Sequence, residues 1–240
     1  MRKPGAILFD LDDTLLCFQG VAEQAWETSC DVFVKAHALP YTRGALLTAL
    51  RKTRQWYWGD PARHKAGRED MQNARREIVR RSLRELGTGD DALANELADR
   101  YSALQHSLIH LFPDTTGTLE ALRRDGCRLG LITNGSSAGQ REKINRFSLA
   151  PYFEIILIDQ EVGFSKPDAR MYRHARDLLG LRYSDLWMVG DNLVWDVEGP
   201  MALGMTAVWY DAKRTGLPAD TAVRPDAVIR GLSELRALLP

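Results

Sequence analysis

The chain has 240 residues, 45% of them hydrophobic, and its 32 lysines and arginines are matched by 32 aspartates and glutamates. A net charge of zero provides no whole-molecule field to draw nucleic acid or an acidic membrane surface, and no uncharged apolar run approaches the ~20 residues of a membrane helix. The size suits one large α/β domain, or a compact domain carrying a smaller insert.

Ahead of the first apolar run stand Arg2, Lys3, Pro4 and Gly5, and the run itself stops at Asp10. A secretory signal needs a longer apolar stretch and a small-residue cleavage site, so a cytoplasmic location is expected. The cysteines Cys17, Cys30 and Cys127 form neither a CxxC pair nor a zinc pattern, which fits ordinary thiols in a reducing compartment.

Six short apolar runs read as buried strands: Ala6–Phe9, Arg128–Ile132, Glu154–Ile158, Leu186–Val189, Thr206–Tyr210 and Ala227–Ile229. Near-continuous apolar content over so few residues is the pattern of parallel strands covered on both faces. Helical spacing lies between the later ones, as in Leu119, Leu122 and Arg123, and again in Met171, Ala175, Leu178 and Leu179. Strand alternating with helix predicts right-handed crossovers and a parallel sheet. From about Phe18 to His110 no strand is expected, and helical spacing dominates, for instance at Leu93, Leu97, Tyr101, Leu104 and Leu108. Asp90, after Gly87-Thr88-Gly89, is a predicted helix N-cap. The expected division is a catalytic core from residues 1–17 and 111–240, with a helical insert at 18–110.

Four short motifs carry the chemistry, each just beyond a predicted strand or in the loop that follows, where an open parallel sheet forms its ligand crevice. In Phe9-Asp10-Leu11-Asp12-Asp13-Thr14 a strand runs into three carboxylates within four residues. Such groups repel one another unless a cation sits among them, and hard Mg²⁺ prefers oxygen ligands. A strand-end carboxylate can attack phosphorus, and a second carboxyl two residues on can protonate the leaving oxygen and later activate water. The plainer alternative is a solvated acidic turn. In Thr133-Asn134-Gly135 a hydroxyl and backbone amides can hold phosphate oxygens, or can simply cap a helix. Lys166, before Pro167, is held out of a helix and can balance the negative charge, or it can be a surface lysine before a helix that starts at Pro167. In Gly190-Asp191-Asn192 with Asp196, Asp191 would bind the metal, and Asp196 would orient Asn192, Lys166 or a water at the metal. The alternative is an N-cap at Asp191 and a solvated Asp196.

In this order, the four motifs resemble those of the haloacid dehalogenase-like (HAD) hydrolase superfamily: Asp10-x-Asp12-x-Thr14, Thr133-Asn134, Lys166-Pro167 and Gly190-Asp191-Asn192 with Asp196. The stretches Thr133 to Ile144 and Glu161 to Pro167 are similar to the branch holding N-acylneuraminate-9-phosphatase and pyrimidine 5'-nucleotidase. The resemblance implies a Rossmann-like α/β core with helices on both faces and an inserted C1-type helical cap that carries substrate choice. It implies Asp10 as nucleophile and Mg²⁺ ligand, and Asp12 as general acid/base that offers its backbone carbonyl to the metal. Asp191 would complete the ligands, while Thr133, Asn134 and Lys166 would hold the phosphoryl group. Pro200 departs from the small residue the family usually has there, which puts the local helix in question. Asp13 is given no catalytic role.

The expected activity is Mg²⁺-dependent hydrolysis of a small phosphorylated metabolite through an aspartyl-phosphate. A phosphomutase would use the same residues. A 2-haloacid dehalogenase does not need Asp12, and a non-catalytic module would be expected to have lost Asp10 or Lys166. Expected partners are a small phosphorylated substrate, no nucleic acid and no membrane, for a monomer or homodimer. In the insert, Trp56 and Trp58 among arginines and lysines could stack on a sugar or base, but packing within the helical unit is favoured. His106 and His110 have zinc-like i,i+4 spacing, and a partly exposed helix face is the favoured reading.

Overall fold

The computed structural model describes residues 2–240. The chain divides into two compact units, residues 1–17 with 110–240 and residues 18–109. In chain order, β1 (Ala6–Phe9) is followed by the short β2 (Leu16–Cys17). Five helices come next: α1 (Ala22–Ala36), α2 (Arg43–Trp58), α3 (Pro61–Glu69), α4 (Met71–Glu85) and α5 (Asp91–Leu108). The chain returns through β3 (His110–Leu111), α6 (Thr115–Arg124), β4 (Arg128–Thr133) and α7 (Ser137–Arg146). Then follow β5 (Ile155–Ile158), α8 (Asp159–Val162), α9 (Ala169–Leu179) and β6 (Leu186–Gly190). A π-helix over Leu193–Glu198 leads into α10 (Gly199–Ala202), and β7 (Thr206–Tyr210), β8 (Ala227–Ile229) and α11 (Leu235–Leu238) complete the chain.

The larger unit is built on a parallel six-stranded sheet of order β5-β4-β1-β6-β7-β8. All four β1 residues are fully buried, as expected for a central strand flanked on both sides and covered on both faces. Alternate side chains take opposite faces. Ala6 and Leu8 join Ile132, Leu186 and Met188 against Met171, Tyr172, Ala175 and Leu179 of α9. Leu178, expected on that buried stripe, is instead 52% exposed. Residue 178 lies three positions after the buried Ala175 but on the edge of the stripe, and the burial falls to Leu179. The α9 helix starts at Ala169 with the Asp168 side chain accepting from Arg170 N, two residues later than a start at Pro167.

Strand positions follow the sequence reading closely, with ends moved by a residue. The exception is the pair β2 and β3, an antiparallel ribbon with Leu16 opposite Leu111 and Cys17 opposite His110. Two-residue strands are too short to show a hydrophobic period, and the pairing depends on bringing together positions nearly a hundred residues apart. The ribbon also settles the His106/His110 spacing. The α5 helix ends at Leu108, so His110 lies in a strand and the two histidines do not share a helix face.

The helical unit has its own core, with Trp26, Phe33, Leu46, Leu50, Ile78, Leu97 and Tyr101 at its centre. Trp26 stacks on Tyr101 at 3.6 Å between ring centroids. Asp90 caps α5 as expected, accepting from Ala92 N at 2.7 Å and Leu93 N at 3.2 Å. Trp56 and Trp58 are partly buried against this core, and Trp56 carries the guanidinium groups of Arg63 and Arg81 over its ring at 3.9 and 4.0 Å. The packing reading therefore describes both tryptophans. Among the described residues, no helix is long and apolar enough to cross a membrane.

Candidate active site

The sheet order places β4, β1 and β6 side by side, so their carboxyl ends deliver Thr133, Asp10 and Asp191 to one edge. Asp10 extends the ladder by one residue, its amide donating to Val189 O at 3.0 Å. Beyond it the chain turns sharply, with Asp13 N donating to Leu16 O at 2.7 Å and Leu15 N donating to Leu11 O at 2.9 Å. Asp13 adopts a left-handed backbone with φ of 62°. Aspartate tolerates that region better than most non-glycine residues, which gives the third carboxylate a part in the turn.

At the centre lies Lys166, only 1% exposed. Its Nζ donates to Asp10 Oδ1 at 2.7 Å and to Asp196 Oδ1 at 2.6 Å. The other Asp10 oxygen accepts from Thr14 Oγ1 at 3.2 Å. Asp196 is fully buried and its second oxygen accepts from the Asn192 amide at 3.1 Å. The loop reading of Lys166 as a surface side chain fails, and so does that of Asp196 as a solvated one. Asn192, not Asp191, caps the following helix, its Oδ1 accepting from Val194 N and Trp195 N.

Asn134 works through its side chain on the backbone of Lys166. Its Nδ2 donates to Lys166 O at 2.9 Å and its Oδ1 accepts from Lys166 N at 2.9 Å. This two-point clamp fixes the loop that aims the lysine, and leaves the side-chain amide of Asn134 committed to protein. Thr133, buried at the end of β4, accepts from Gln140 Nε2 at 2.5 Å and keeps its hydroxyl proton to donate. Asp12 lies apart from the Asp10 group. Its carboxylate faces α7, where Lys143 Nζ reaches both oxygens at 2.6 Å and Gln140 Nε2 donates to Oδ2 at 3.0 Å.

Carboxylate oxygens of Asp10, Asp191 and Asp196 all lie within 4.8 Å of one another. Burial pushes the Asp10 carboxyl up to about 7, against the pull of Lys166 and with the Asp196 charge adding to the rise. Burial, followed by the charges of Asp10, Asp196 and Asp13, pushes Asp191 up to about 9. Lys166 is held far above the ordinary lysine range: burial opposes its charge, but the Asp10 and Asp196 carboxylates outweigh that. One buried ammonium among three carboxylates leaves the site short of positive charge. A hard divalent cation with a preference for oxygen fits that donor set.

Gly190 shows how tightly the site is packed. A Cβ at this position would come within 2.3 Å of Asp196 Cγ, less than any real contact. The backbone at the end of β6 is close enough to Asp196 that only glycine fits. Gly190→Ala is expected to cost about 1–3 kcal/mol or more, read as a lower midpoint in urea unfolding. An unchanged midpoint would mean that Asp196 moves aside freely.

Pro200 occupies the first turn of α10, where a missing N–H is tolerated. The local helix therefore forms despite the proline, preceded by the widened π-turns over Leu193–Glu198. Sequence reading named Asp10, Asp12, Thr133, Asn134, Lys166, Asp191, Asn192 and Asp196, and the structure gathers them in one unit. It gave no role to Gln140 or Lys143. Their i,i+3 spacing on α7, just after Thr133-Asn134, was the available signal.

A buried lysine among three carboxylates at the carboxyl edge of a parallel sheet places metal-type ligands and a positive charge where an anionic group can be held. Residues 4–204 match the family model for haloacid dehalogenase-like hydrolases, and the chain belongs to that family. A phosphoserine phosphatase from Thermus thermophilus is 37% identical over 161 residues, which span 67% of this chain and 63% of that protein. A glyceraldehyde 3-phosphate phosphatase from Methanothermobacter thermautotrophicus is 28% identical over 237 residues, 98% of this chain and 99% of that one. Among solved structures, a 2-haloacid dehalogenase from Pseudomonas syringae superposes with a TM-score of 0.63 at 28% identity, covering 99% of this chain and 98% of that one.

Proposed function

We propose that the protein is a Mg²⁺-dependent phosphatase that hydrolyses a small phosphorylated metabolite through an aspartyl-phosphate on Asp10. The observation that carries this reading is the pairing of Asp10 with a fully buried Lys166, beside Asp191 and within the same unit as a second strand-end carboxyl, Asp12. The dehalogenase neighbour shares the fold, but dehalogenation has no use for a proton donor two residues after the nucleophile. A phosphate ester needs one, because its leaving alkoxide is a strong base.

An Asp10 carboxylate oxygen bonds to phosphorus as the ester P–O bond breaks, and the Asp12 carboxyl gives its proton to the departing oxygen. In the second step Asp12 takes a proton from water whose oxygen bonds to phosphorus. The bond to Asp10 then breaks, releasing inorganic phosphate and returning the Asp10 carboxylate. Lys166 and the Thr133 hydroxyl hold the phosphoryl oxygens where negative charge is greatest. Asp10 and Asp191, with the backbone carbonyl of Asp12, would hold Mg²⁺. The ion supplies charge neutralisation that lets an anionic nucleophile approach an anionic phosphate. Asn134 and Asp196 keep Lys166 in place from the backbone and side-chain ends. The helical unit, as the cap, would carry substrate choice.

The purified protein is expected to release inorganic phosphate from 4-nitrophenyl phosphate with Mg²⁺ and to stop on addition of EDTA. A screen over sugar phosphates, nucleoside monophosphates and phospho-acids would then find the substrate class, with product analysis separating release to water from transfer to a second hydroxyl. Absence of Mg²⁺-dependent phosphate release from every ester would refute the reading.

Metal binding has a pH sign. Without metal, folded Asp10 and Asp191 keep protons that the unfolded chain loses near 3.8. The native state then binds more protons, so this contribution to stability is complete below about pH 3.8 and declines as pH rises through about 7 and toward 9. Mg²⁺ requires the ionised form. Its thermal stabilisation of the protein should therefore be larger at pH 8 than at pH 5.5, with proton release detectable by calorimetry in buffers of different ionisation enthalpy. A shift equal at both pH values would count against these ligands.

A further inference from the structure

Lys143 and Gln140 are both buried, on one face of α7, and both spend their polar ends on motif residues of the site. A lysine that gives up solvent bears a desolvation cost and loses rotamer freedom, so its geometry has to be specific to be retained. Here it is: Lys143 Nζ meets both oxygens of Asp12 at 2.6 Å, and Gln140 Nε2 donates to Asp12 Oδ2 at 3.0 Å. The same Gln140 nitrogen reaches Thr133 Oγ1 at 2.5 Å and Asn134 O at 3.0 Å. One helix face therefore ties the proton-transferring carboxyl to the phosphate-binding strand end. An Asp12 without these partners would be a partly exposed side chain on a tight turn, free to rotate.

We infer that Lys143 is a positioning residue, with Gln140 as its neighbour, that holds the Asp12 carboxyl in the orientation from which it transfers a proton to the leaving oxygen. The inference rests on the phosphatase reading above. Lys143 acts on Asp12 rather than on the groups that hold the phosphoryl oxygens, so its effect falls on the proton-transfer step. Lys143 and Gln140 hold three of the roughly four lone-pair sites of the carboxylate, which leaves one to carry the proton that passes to the leaving oxygen.

The test compares kcat/KM for phenyl phosphate and 4-nitrophenyl phosphate, since the nitro group stabilises the departing phenolate and reduces its need for a proton. Lys143→Met is expected to lower kcat/KM by about 10²-fold for phenyl phosphate, the usual worth of a positioned general acid, and by less than about 10-fold for the nitro ester. Asp12→Asn should show the same skew more strongly, Gln140→Leu more weakly, and Lys143→Arg should recover most of the loss. Circular dichroism and thermal melts of each variant report on folding, and Gln140→Leu carries the test should Lys143→Met fail to fold. Equal losses for the two esters, or none, would overturn the role of Lys143 while leaving the phosphatase reading intact. Wild-type protein that hydrolyses no phosphate ester, or Asp10→Asn that hydrolyses both aryl esters, would instead remove the reading on which this role depends.

Discussion

Asp10→Asn is expected to reduce phosphate release by about four orders of magnitude or more, the scale seen when a covalent nucleophile is removed from an enzyme that depends on it. The substitution keeps the shape of the side chain. It removes the oxygen anion that would bond to phosphorus, because a neutral amide oxygen is a poor nucleophile and cannot form the acyl phosphate. The fold should tolerate the change. Asp10 is buried and already resists ionisation, with its carboxyl pushed up to about 7, so a neutral amide relieves repulsion from Asp196 while losing part of the Lys166 contact. A melting temperature near that of the wild type is thus expected without metal, with a smaller shift on adding Mg²⁺. The direct measurement is acid quenching during turnover of a radiolabelled phosphate ester. Wild-type protein should carry label and the asparagine variant none. Label on the variant, or an unchanged rate, would remove Asp10 as the acceptor.

Lys166→Met should lose both activity and stability. The ammonium is the only cation bonded to both Asp10 and Asp196 among the described contacts, and Asp196 is fully buried. Removing one partner of a buried ion pair leaves a charge that can neither reach water nor find a counterion, at a cost of about 3–5 kcal/mol. For a chain of this size that corresponds to a fall in melting temperature of roughly 10 °C. Loss of a donor to the transferring phosphoryl group should also lower kcat by about 10²–10³-fold. The pH dependence identifies the cause. Lys166 has a raised pKa in the folded state, so its stabilisation is fully present below the ordinary lysine value near 10.5 and is lost only above it. The wild-type lysine therefore keeps its own charge from pH 5 to 9. In the methionine variant the orphaned carboxylates can be relieved by protonation, so its deficit should shrink as pH falls. A deficit independent of pH would assign the loss to packing.

The central strand and its flanks were legible from the sequence because burial on both faces leaves a local mark. Ala6–Phe9, Thr206–Tyr210 and Ala227–Ile229 have the bounds that their apolar runs predict. Asp90 was legible as a cap for the same reason, since capping acts over two or three residues. The ribbon of β2 with β3 was not, because its four residues carry no period and meet only across the whole helical unit.

The sequence by itself determined which groups stand at the strand ends: Asp10, Thr133 and Asp191 follow apolar runs, and a parallel sheet must bring such ends to one edge. It named Lys166 and Asp196 without fixing their burial, because a lysine before proline and an aspartate after a loop are as often solvated. Only the tertiary structure decided that these two meet at 2.6 Å in the interior, that Asn134 spends its amide on the Lys166 backbone, and that Lys143 takes Asp12. Those choices depend on side-chain directions between segments up to 131 residues apart. Local propensity and period hold no information about direction at that range, whereas the sheet register, once formed, leaves each side chain few places to go.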